Sequence, residues 1–549
     1  MLIASRRLAR WLAFAVLLAF APAPFPAIAQ GPEGTQRQPE FDVVVDRDGA
    51  PRATSAPPDR PNILLIYTDD QPYKTVGCYP EAPPWVQTPN IDRLASRGVR
   101  FHRAYLGSWC MPSRASILTG RLPHGIESLR MAGEYPGSTY DPEQAPFWPA
   151  VFRRHGYHTA QIGKWHTGTD TGFGRDWDDQ IVWNRPAHPD NAGNYFHDQI
   201  LAFNDEERRV EGYSTDNYTE WALDVIRGAR RDPDKPWFLW LCYGAVHGPT
   251  TPAARHQGSY DGQTAPVPDD IFGPRPDKPS YLEHTQAWEP GPGGLPVMKT
   301  RAPREGNFDT DEPGLDFQDW VQQVNECARA LDEGVGRLLA ALDETGQREN
   351  TLVIFTADQG YALGEHGMSI KLAPYDAAVA SPLIVSQPGT LPEGETCSVA
   401  VNAPDLVATI AARAGIAIPW ELHGRDITPL LESPRSADWP HPMLMEHLGR
   451  AYGSDTSPIP TGSKLTEVGG VPWWVLLRDG RFKYIRTLAE GEPEELYDLD
   501  ADPEELHNLA ADPEYRAVLE SLRERTVAEL RRTGAPFADA MHAPRLLSR

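Results

Sequence analysis

Short apolar strands alternate with amphipathic helices from residue 61 onward, and this alternation limits the fold more than any other feature of the sequence. Five segments have the composition of strands: NILLIYT (62–68), HTAQIG (158–163), WFLWLCY (237–243), TLVIFTA (351–357) and PLIVS (382–386). Apolar strands separated by helices are typical of a parallel sheet that is buried on both faces. The sequence therefore predicts an α/β fold with a large mixed, mostly parallel sheet covered by helices on both faces.

The pattern changes towards the C-terminus, where turn signals separate three further apolar segments. They are VPWWVLL (471–477), RFKYIRT (481–487) and ELYDLD (495–500), and RDG between the first two is a hairpin signal. Asp512 is placed to cap a helix from Pro513 to about Arg532. We therefore expect a large domain over 61–440 and a smaller C-terminal α+β subdomain over 441–549, with an antiparallel sheet and a terminal helix.

The N-terminal residues have the features of a secretory signal peptide. Three arginines within the first ten residues precede the apolar run WLAFAVLLAF, and the small residues AIA end at position 29. A membrane anchor is the alternative, but the apolar run is too short to span a bilayer and prolines follow it. We expect a signal peptide over 1–29, a linker over 30–60, and an exported, periplasmic or secreted protein without a stable membrane anchor.

The net charge and the number of cysteines limit which binding partners and which cysteine pairings we expect. The formal net charge of −24 argues against a nucleic-acid partner, because phosphate binding needs a basic surface. The chain has five cysteines, and an odd number in an oxidising compartment leaves one thiol free, intermolecular or modified. Cys327 lies in a segment, 320–346, whose apolar residues recur at helical spacing. We interpret Cys327 as a packing residue, with a disulfide as the alternative.

Residues suited to acid–base chemistry or metal binding follow four of the predicted strands. They are Asp69 and Asp70 after the first, Lys164 and His166 after the second, His247 after the third, and Asp358 and Gln359 after the fourth. Ligands of open α/β sheets bind beyond the carboxyl ends of the strands, so we expect these residues at one edge. Taken singly, they could be turn residues, helix caps or solvated side chains. Together, the two oxygen-donor pairs fit a hard divalent cation, and no Cys/His cluster at zinc spacing accompanies them.

The segment WCMPSRASILTGR (109–121) places a cysteine at the expected start of a helix, because Pro112 favours a first turn. A thiolate at a helix N-terminus is stabilised by the helix dipole, so a reactive thiol is one interpretation of Cys110. A disulfide cysteine is a second interpretation, and the motif around it provides a third.

The segment from Cys110 to Arg121 resembles the signature of the sulfatase family, C-x-P-S-R-x-x-x-L-T-G-R, and matches it at every specified position. Other blocks resemble the same family in order and context. They are PNILLIYTDDQ at the first strand, TPNIDRLASRGVRFHRAY (88–105) as the first helix, GYHTAQIGKWHTG (156–168), AVHGP (245–249), TLVIFTADQGYALGEHG (351–367) followed by Lys371, and ELYDLDADPEELHNLA (495–510). The resemblance covers residues from about 60 to 530. It implies an alkaline-phosphatase-like fold and the hydrolysis of sulfate monoesters.

The resemblance also implies a modified residue and a metal ion. Cys110 would be oxidised to formylglycine by a formylglycine-generating enzyme before folding, and Arg114 would orient the formylglycine hydrate. One divalent cation is implied, with Ca²⁺ as the first choice and Mg²⁺ as the alternative. Its implied ligands are Asp69, Asp70, the modified Cys110, Asp358 and Gln359.

Four further residues receive catalytic roles from the resemblance. Lys164 and Lys371 would bind sulfate oxygens and stabilise the transferring group. His247, together with Lys371, would protonate the departing alcohol, and His166 would take up the proton that is released when sulfate leaves. The substrate would be a sulfated small molecule or glycan.

Two departures from the family pattern bear on the metal and on the substrate. The second metal block reads Asp-Gln, where many members have Asp-Asn or Asp-His, and the amide oxygen of Gln359 still supports oxygen ligation. Residues 249–315 match no part of the family that we can place. We expect His366, in GEHG, to be a structural loop residue.

The unmatched segment 249–315 leads to a hypothesis about the substrate. Aromatic rings stack on sugars and basic side chains bind further sulfates or uronates. The segment offers such residues at Tyr281, Trp288, His256, His284, Arg255, Lys278, Lys299 and Arg304. We therefore expect an exo-acting carbohydrate sulfatase whose pocket is formed by this segment and the C-terminal subdomain. A covering loop without substrate contacts is the alternative.

Three other functions fit parts of the pattern. Some proteins with the Cys-x-Pro-Ser-Arg motif hydrolyse phosphate or phosphonate monoesters on the related fold. A non-catalytic glycan-binding protein on this scaffold is a second alternative, although every expected catalytic position is filled. A secreted thiol enzyme is a third, but no Cys-His pairing is evident near Cys110 in the sequence.

Overall fold

The structure is a computed structural model that describes residues 60–127, 129, 139–184, 191, 193–299, 316–436, 438–545 and 547. The predicted signal peptide and all of the predicted linker except Arg60 lie outside the described residues. Within the described ranges, no helix combines the length and the apolar character that crossing a bilayer requires.

Three sheets form the framework of the protein. Their strands are β1 Asn62–Thr68, β2 Val99–Tyr105, β3 His158–Lys164, β4 Asp179–Trp183, β5 His197–Phe203, β6 Glu206–Tyr213, β7 Trp237–Cys242, β8 Trp288–Pro290, β9 Pro296–Met298, β10 Thr351–Ala357, β11 Ser381–Ser386, β12 Glu395–Cys397, β13 Val401–Asn402, β14 Met443–His447, β15 Trp474–Asp479, β16 Phe482–Thr487 and β17 Glu494–Asp498. The short strands β8 and β9 pair with each other and form the two-stranded sheet.

The large sheet has the order β12-β2-β11-β10-β1-β7-β3-β4-β5-β6, and β13 also pairs with β2. Its centre, from β10 to β4, is parallel, whereas β11 and β5 pair antiparallel with both of their neighbours. Every residue of β1, β7 and β10 is buried. Because successive side chains point to opposite faces, both faces of the sheet are covered. The predicted mixed, mostly parallel sheet is confirmed.

The described residues form ten α-helices, and two groups of them pack together beside the large sheet. Their bounds are α1 Pro89–Ser96, α2 Cys110–Thr119, α3 Pro149–Arg154, α4 Ser214–Ile226, α5 Tyr281–His284, α6 Phe317–Glu344, α7 Asp376–Val379, α8 Ala403–Ala414, α9 Thr428–Glu432 and α10 Arg516–Arg532. Helices α1 and α4 contact α6, whereas α2 contacts α8. Cys327 lies on α6, fully buried and outside any disulfide, which confirms its interpretation as a packing residue.

The C-terminal sheet, β14-β15-β16-β17, is antiparallel and buries both of its faces. On β15, Trp474 and Leu476 join the main hydrophobic core. The alternate residues Val475 and Leu477 belong to a second core with Leu519 and Leu530 of α10. The predicted small antiparallel sheet and terminal helix are confirmed, and the helix begins after a turn that Asp512 caps through Glu514 N.

One block next to the sheet holds more than the sequence indicated. The block 88–105 was expected to be the first helix; its N-terminal part is α1, which ends at Ser96, but its C-terminal part is β2, which begins at Val99. Gly98 separates the two elements, and a Cβ atom there would lie 2.4 Å from the carbonyl oxygen of Val385 on β11. The chain has to pass this close to enter the sheet, so the helix stops before it.

Candidate active site

Four strand ends meet at one edge of the large sheet, and backbone hydrogen bonds beyond the strands hold them together. Asp69 N donates to Ala245 O at 3.0 Å, and Asp358 N donates to Thr68 O at 3.0 Å. These bonds extend the pairing of β1 with β7 and with β10 past the last strand residues. Lys164 is the last residue of β3, which pairs with β7, so its side chain reaches the same edge.

Asp69 and Asp70 occupy the centre of this edge. Lys164 Nζ forms an ion pair with Asp69 Oδ2, and both side chains are fully buried. Burial alone would raise the pKa of Asp69, but Lys164 and the other nearby cationic groups hold it well below its usual range. Asp70 has a backbone φ of 57°, and its two carboxylate oxygens each lie 2.7 Å from Lys371 Nζ. Burial raises the pKa of Asp70 to about 6, with Asp69 contributing in the same direction.

Cys110 is the first residue of α2, and its thiol points into the group of charged side chains. Its Sγ lies 3.0 Å from Lys371 Nζ, 3.4 Å from Asp69 Oδ1 and 3.9 Å from Gln359 Nε2. Burial, with Asp69 second, raises the pKa of the Cys110 thiol to about 12. The raised pKa disfavours the thiolate, so the reactive-thiolate interpretation is not supported. All five cysteines are described as free thiols, so the disulfide interpretation of Cys110 fails as well.

Arg114 and Ser113 connect the first turn of α2 to the segment after β10. Arg114 is fully buried, and it donates to Lys164 O at 3.1 Å and to Asp358 Oδ2 at 2.9 Å. Ser113 Oγ donates to the carbonyl oxygen of Asp358 at 2.6 Å and lies 2.6 Å from the hydroxyl of Tyr67. These bonds fix the start of the helix, and with it Cys110, against the sheet.

A divalent cation fits the donor set at this edge. Oxygen, nitrogen and sulfur ligand atoms of Asp69, Asp70, Cys110 and His247 all lie within 4.8 Å of one another. Gln359 Oε1 is buried and has no hydrogen-bond partner among the described residues, which suits an oxygen that binds a cation. The carboxylate of Asp358 is less available as a metal ligand, because both of its oxygens already accept hydrogen bonds. Its Oδ1 accepts from Asp70 N and Gln359 N, and its Oδ2 accepts from Arg114.

His247 lies beside the carboxylates with one nitrogen turned towards them. Its Nε2 is 3.5 Å from Asp70 Oδ2 and 3.1 Å from the hydroxyl of Tyr195. Its Nδ1 faces the carbonyl oxygen of Gly248, and this contact requires a proton on Nδ1. Tyr195 comes from a stretch without a motif, so nothing in the sequence singled it out. Lys164 Nζ lies 5.1 Å from the centre of the Tyr195 ring.

His166 is buried at the same edge, two residues beyond β3, with a backbone φ of 59°. Burial lowers the pKa of His166 well below its usual range, and the nearby cations Lys164 and Arg114 act in the same direction. The lowered pKa favours the neutral imidazole, which is the form of histidine that can take up a proton.

Several candidates from the segment 249–315 do not lie in this site. Trp288 and Tyr281 are buried in the main core, so their rings cannot stack on a sugar at the surface, and that part of the hypothesis is wrong. Lys278 is buried and donates to Tyr497 Oη and Glu505 O, each at 2.6 Å. Arg255 is paired with Asp216 and Glu333.

The remaining residues of that segment have other surroundings. His256 is buried with its Nε2 3.0 Å from Glu333, and His284 is exposed. Lys299 lines a separate cavity of about 380 Å³ with Arg275, and Arg304 lies outside the described residues. His366 is buried with its Nδ1 2.7 Å from Asp270, as expected of a structural residue.

A narrow cleft opens beside Asp70. It is lined by Pro72, Val246, Gly248, Thr250, Trp320, Val324, Tyr361 and Leu363 together with Asp70. The described residues of 249–315 contribute Thr250, but the C-terminal subdomain contributes none of the described lining residues. The expected contribution of that subdomain to the pocket wall is therefore not found in the described cleft.

Comparison with known families identifies the family of proteins to which this chain and its group of buried charged residues belong. The sequence profile of the sulfatase family matches residues 61–416, which is more than half of the chain. The chain belongs to the sulfatase family. A second profile, described as the C-terminal region of N-sulphoglucosamine sulphohydrolase, matches residues 469–532 of this sulfatase, from just before β15 to the end of α10. Membership makes the protein a sulfuric ester hydrolase.

Individual relatives agree with this assignment over most of their length. An N-acetylglucosamine-6-O-sulfatase of Bacteroides thetaiotaomicron is 29% identical over 69% of this chain and 73% of its own. A solved structure described as a complex with its substrate D-glucosamine-2-N,6-O-disulfate has a TM-score of 0.71, 25% identity, and coverage of 87% of this sulfatase and 99% of that chain. A phosphonate monoester hydrolase of Silicibacter pomeroyi, 22% identical with a TM-score of 0.65 over 87% of this chain and 97% of its own, has the same fold.

Proposed function

We propose that this sulfatase hydrolyses sulfate esters of carbohydrates with a formylglycine made from Cys110 and one divalent cation. The observation that carries the proposal is the position of Cys110 Sγ, 3.0 Å from Lys371 Nζ and 3.4 Å from Asp69 Oδ1 in a buried, charged site. An inert thiol has no evident use there, whereas an oxygen nucleophile at that position would face both a cation site and a lysine.

The cation would be held by Asp69, Asp70, Gln359, Asp358 and the modified residue 110. We propose Ca²⁺, with Mg²⁺ as the alternative, because carboxylate and amide oxygens are the ligands that these ions prefer. The formylglycine hydrate would supply the attacking oxygen, and the cation would withdraw negative charge from the sulfate. Gln359 Oε1, which is buried and accepts no hydrogen bond from the described residues, supports this ligand set.

Three cationic side chains make the site receptive to a sulfate in a protein of net charge −24. Arg114 is fixed by Lys164 O and Asp358, so it would hold the group at position 110 in one orientation. Lys164 and Lys371 now pair with Asp69 and Asp70, and we propose that both ammonium groups bind sulfate oxygens when substrate enters. Fixed positive charge of this kind stabilises the charge that develops during transfer.

Two histidines would carry out the two proton transfers, one to the departing alcohol and one from the enzyme when sulfate leaves. His247 Nε2 faces the carboxylate edge next to the cleft, so we propose that it protonates the departing alcohol together with Lys371. His166 is buried and neutral, which suits a base that takes up the proton released when sulfate leaves. The two roles require histidines with different environments, and the site provides them.

A carbohydrate is the substrate class that we favour. One relative is named an N-acetylglucosamine-6-O-sulfatase, and one solved structure is described as a complex with its substrate, a sulfated glucosamine. The cleft beside Asp70 has an aromatic wall at Tyr361, which is only half-buried, and a hydroxyl at Thr250. Such a wall suits the apolar face of a pyranose ring. The phosphonate hydrolase shares the fold alone, so it does not favour the phosphate alternative.

We also propose the organisation that the sequence suggests: a signal peptide over 1–29, a linker over 30–60, a catalytic domain over 61–440 and a C-terminal subdomain over 441–549. Export to the periplasm or the medium and maturation by a formylglycine-generating enzyme belong to the same proposal. The two profile matches, at 61–416 and 469–532, support the internal division.

A substrate panel tests the proposal most directly. Purified enzyme would be assayed on sulfated mono- and disaccharides, an aryl sulfate, and the matching aryl phosphate and phosphonate. We expect the sulfated sugars to be turned over with the highest kcat/KM. Efficient turnover of the aryl sulfate without any sulfated sugar would refute the carbohydrate assignment alone. Preference for the phosphate or phosphonate would refute the sulfate ester itself as the main substrate.

A further inference from the structure

Hydrogen bonds hold the backbone on both sides of Lys371, and the acceptors are carbonyl oxygens of neighbouring residues. On the N-terminal side, Trp288 Nε1 donates to Met368 O at 3.0 Å, and Ala362 N donates to Ile370 O at 3.1 Å. On the C-terminal side, Trp474 Nε1 donates to Leu372 O at 2.7 Å. The first two donors belong to the large domain, whereas Trp474 opens β15 of the C-terminal sheet.

Leu372 has a backbone conformation that needs such support. Its φ is 87°, in the left-handed region that a leucine adopts only at a cost of about 1–3 kcal/mol. Leu372 also approaches Gly469 so closely that a Cβ atom there would lie 2.3 Å from Leu372 Cδ1. The residue after Lys371 is therefore strained and is held in place by the segment that leads into β15.

Two more side-chain bonds connect the following residues to the same sheet, and a third bond leads to Glu505 beyond it. Tyr375 Oη donates to Glu495 Oε2 on β17 at 2.8 Å. Asp376 accepts from Lys483 Nζ on β16 at 2.7 Å, and Asp376 N donates to Glu505 at 2.6 Å. All of these side chains are buried. The C-terminal sheet thus binds the chain from Leu372 to Asp376 at three successive points.

We propose that Trp474 is a positioning residue for Lys371, so that the C-terminal sheet sets the place of a catalytic ammonium group that it does not itself contact. The inference rests on the proposed role of Lys371. Trp474 is fully buried, and its indole N–H is the described donor nearest to Lys371 on the C-terminal side of the segment. Without it, the strained Leu372 peptide can relax and carry Lys371 away from Asp70 and Cys110.

The test compares Trp474→Phe with Trp473→Phe. Both tryptophans are buried, but Trp473 Nε1 has no hydrogen-bond partner among the described residues, so it is a matched control. Both variants lose indole area, and we expect similar decreases in melting temperature. Only Trp474→Phe should lose about 10²-fold in kcat/KM, because a displacement of about 1 Å at a reacting group has that effect. Its loss should be larger on esters with poor leaving groups, where Lys371 assists the departing oxygen.

A second pair covers the case in which Trp474→Phe does not fold. Tyr375→Phe removes the bond to Glu495, and Tyr484→Phe removes a similar buried bond, from Tyr484 Oη to Glu494 Oε2 at 3.0 Å, elsewhere in the same sheet. We expect the leaving-group-dependent loss only in Tyr375→Phe. Equal effects within both pairs would overturn the inference. Lys371→Ala is measured alongside: if it retains full activity, the proposed role of Lys371 fails, whereas an inactive Lys371→Ala with equal pairs refutes the positioning role alone.

Discussion

The phenol ring of Tyr195 lies parallel to the imidazole of His247, with ring centres 4.0 Å apart and an angle of 8° between the planes. The Tyr195 hydroxyl is also 3.1 Å from His247 Nε2, the nitrogen that faces Asp70. The ring fixes the plane of the imidazole, and the hydroxyl occupies one side of the nitrogen that would give up a proton. Tyr195 therefore belongs to the environment that decides how His247 acts.

Tyr195→Phe keeps the stacked ring and removes the hydroxyl. We expect a loss of about tenfold in kcat on esters with poor leaving groups, which is the value of one hydrogen bond. Tyr213→Phe is the control: Tyr213 ends β6, its hydroxyl donates to Thr251 O at 3.0 Å, and the loss of this bond should leave kcat unchanged. Steady-state kinetics on a series of esters checks this, and equal losses in the two variants would argue against a role of Tyr195.

His247→Ala removes the proposed acid. On esters with poor leaving groups we expect kcat to fall by about 10²–10⁴-fold, whereas activated aryl sulfates, which need no proton, should change little. His284→Ala, at an exposed histidine of the following segment, provides the control. A plot of log kcat against leaving-group pKa should become steeper in His247→Ala. An unchanged slope would mean that another group protonates the alcohol.

Conversion of Cys110 is measured by peptide mass spectrometry. In enzyme made with a formylglycine-generating enzyme present, the peptide that contains Cys110 should carry the mass of an aldehyde in place of the CH₂SH group. Cys242, which is also buried and free, is the internal control and should be fully alkylated after denaturation. Active enzyme in which Cys110 alkylates as completely as Cys242 would contradict the formylglycine assignment.

Removal of the cation should abolish activity, and Ca²⁺ or Mg²⁺ should restore it. Binding is also visible without catalysis, because a ligand present at 100 times its Kd stabilises the folded state by about 2.7 kcal/mol. Ca²⁺ should therefore raise the melting temperature of the chelated protein but not that of Asp70→Ala. Asp539→Ala, at an exposed ion pair far along the chain, should respond like the wild type. Stoichiometric zinc in elemental analysis would contradict the proposed ion.

Each of two buried histidines, His447 and His423, should contribute a loss of stability as the pH drops below about 6.5, because both are neutral in the folded protein. Burial lowers the pKa of His447 to about 3 and that of His423 to about 2. The unfolded chain binds protons on these residues below about 6.5, so protonation favours unfolding by about 2 kcal/mol per histidine at pH 5. Melting temperatures between pH 8 and pH 5 measure this. His447→Gln, which cannot titrate, isolates this contribution: its melting temperature relative to the wild type should be higher at pH 5 than at pH 8, and an unchanged difference would show that His447 does not contribute.

The residues at the strand ends could be found from the sequence because their position follows from two local facts. An apolar strand identifies where the chain leaves the sheet, and the next residues, such as Asp69 and His247, then lie at its edge. The small antiparallel sheet could be predicted in the same way, because the turn after Asp479 lies between two apolar strands. Patterns that depend only on neighbours in the chain are the ones a single sequence reveals.

Other parts of the site depend on contacts between distant segments and leave no local signal. Tyr195 meets His247 across 52 residues, and Trp474 meets Leu372 across 102 residues. Trp288 shows the opposite error, because an aromatic residue in an irregular segment has the same sequence pattern whether it is exposed for binding or, as here, buried. Composition identifies the ring, but only the tertiary contacts reveal which way it points.

Cys110 is only 1% exposed, and the side chains that enclose it come from far apart in the chain, up to Lys371, 261 residues later. An enzyme of any size could reach this side chain only while those later segments are still unsynthesised or unfolded. The geometry therefore requires that any enzyme-catalysed modification of residue 110 precede folding. Once the core has formed around it, the side chain is inaccessible, and a molecule that folds before modification keeps its thiol.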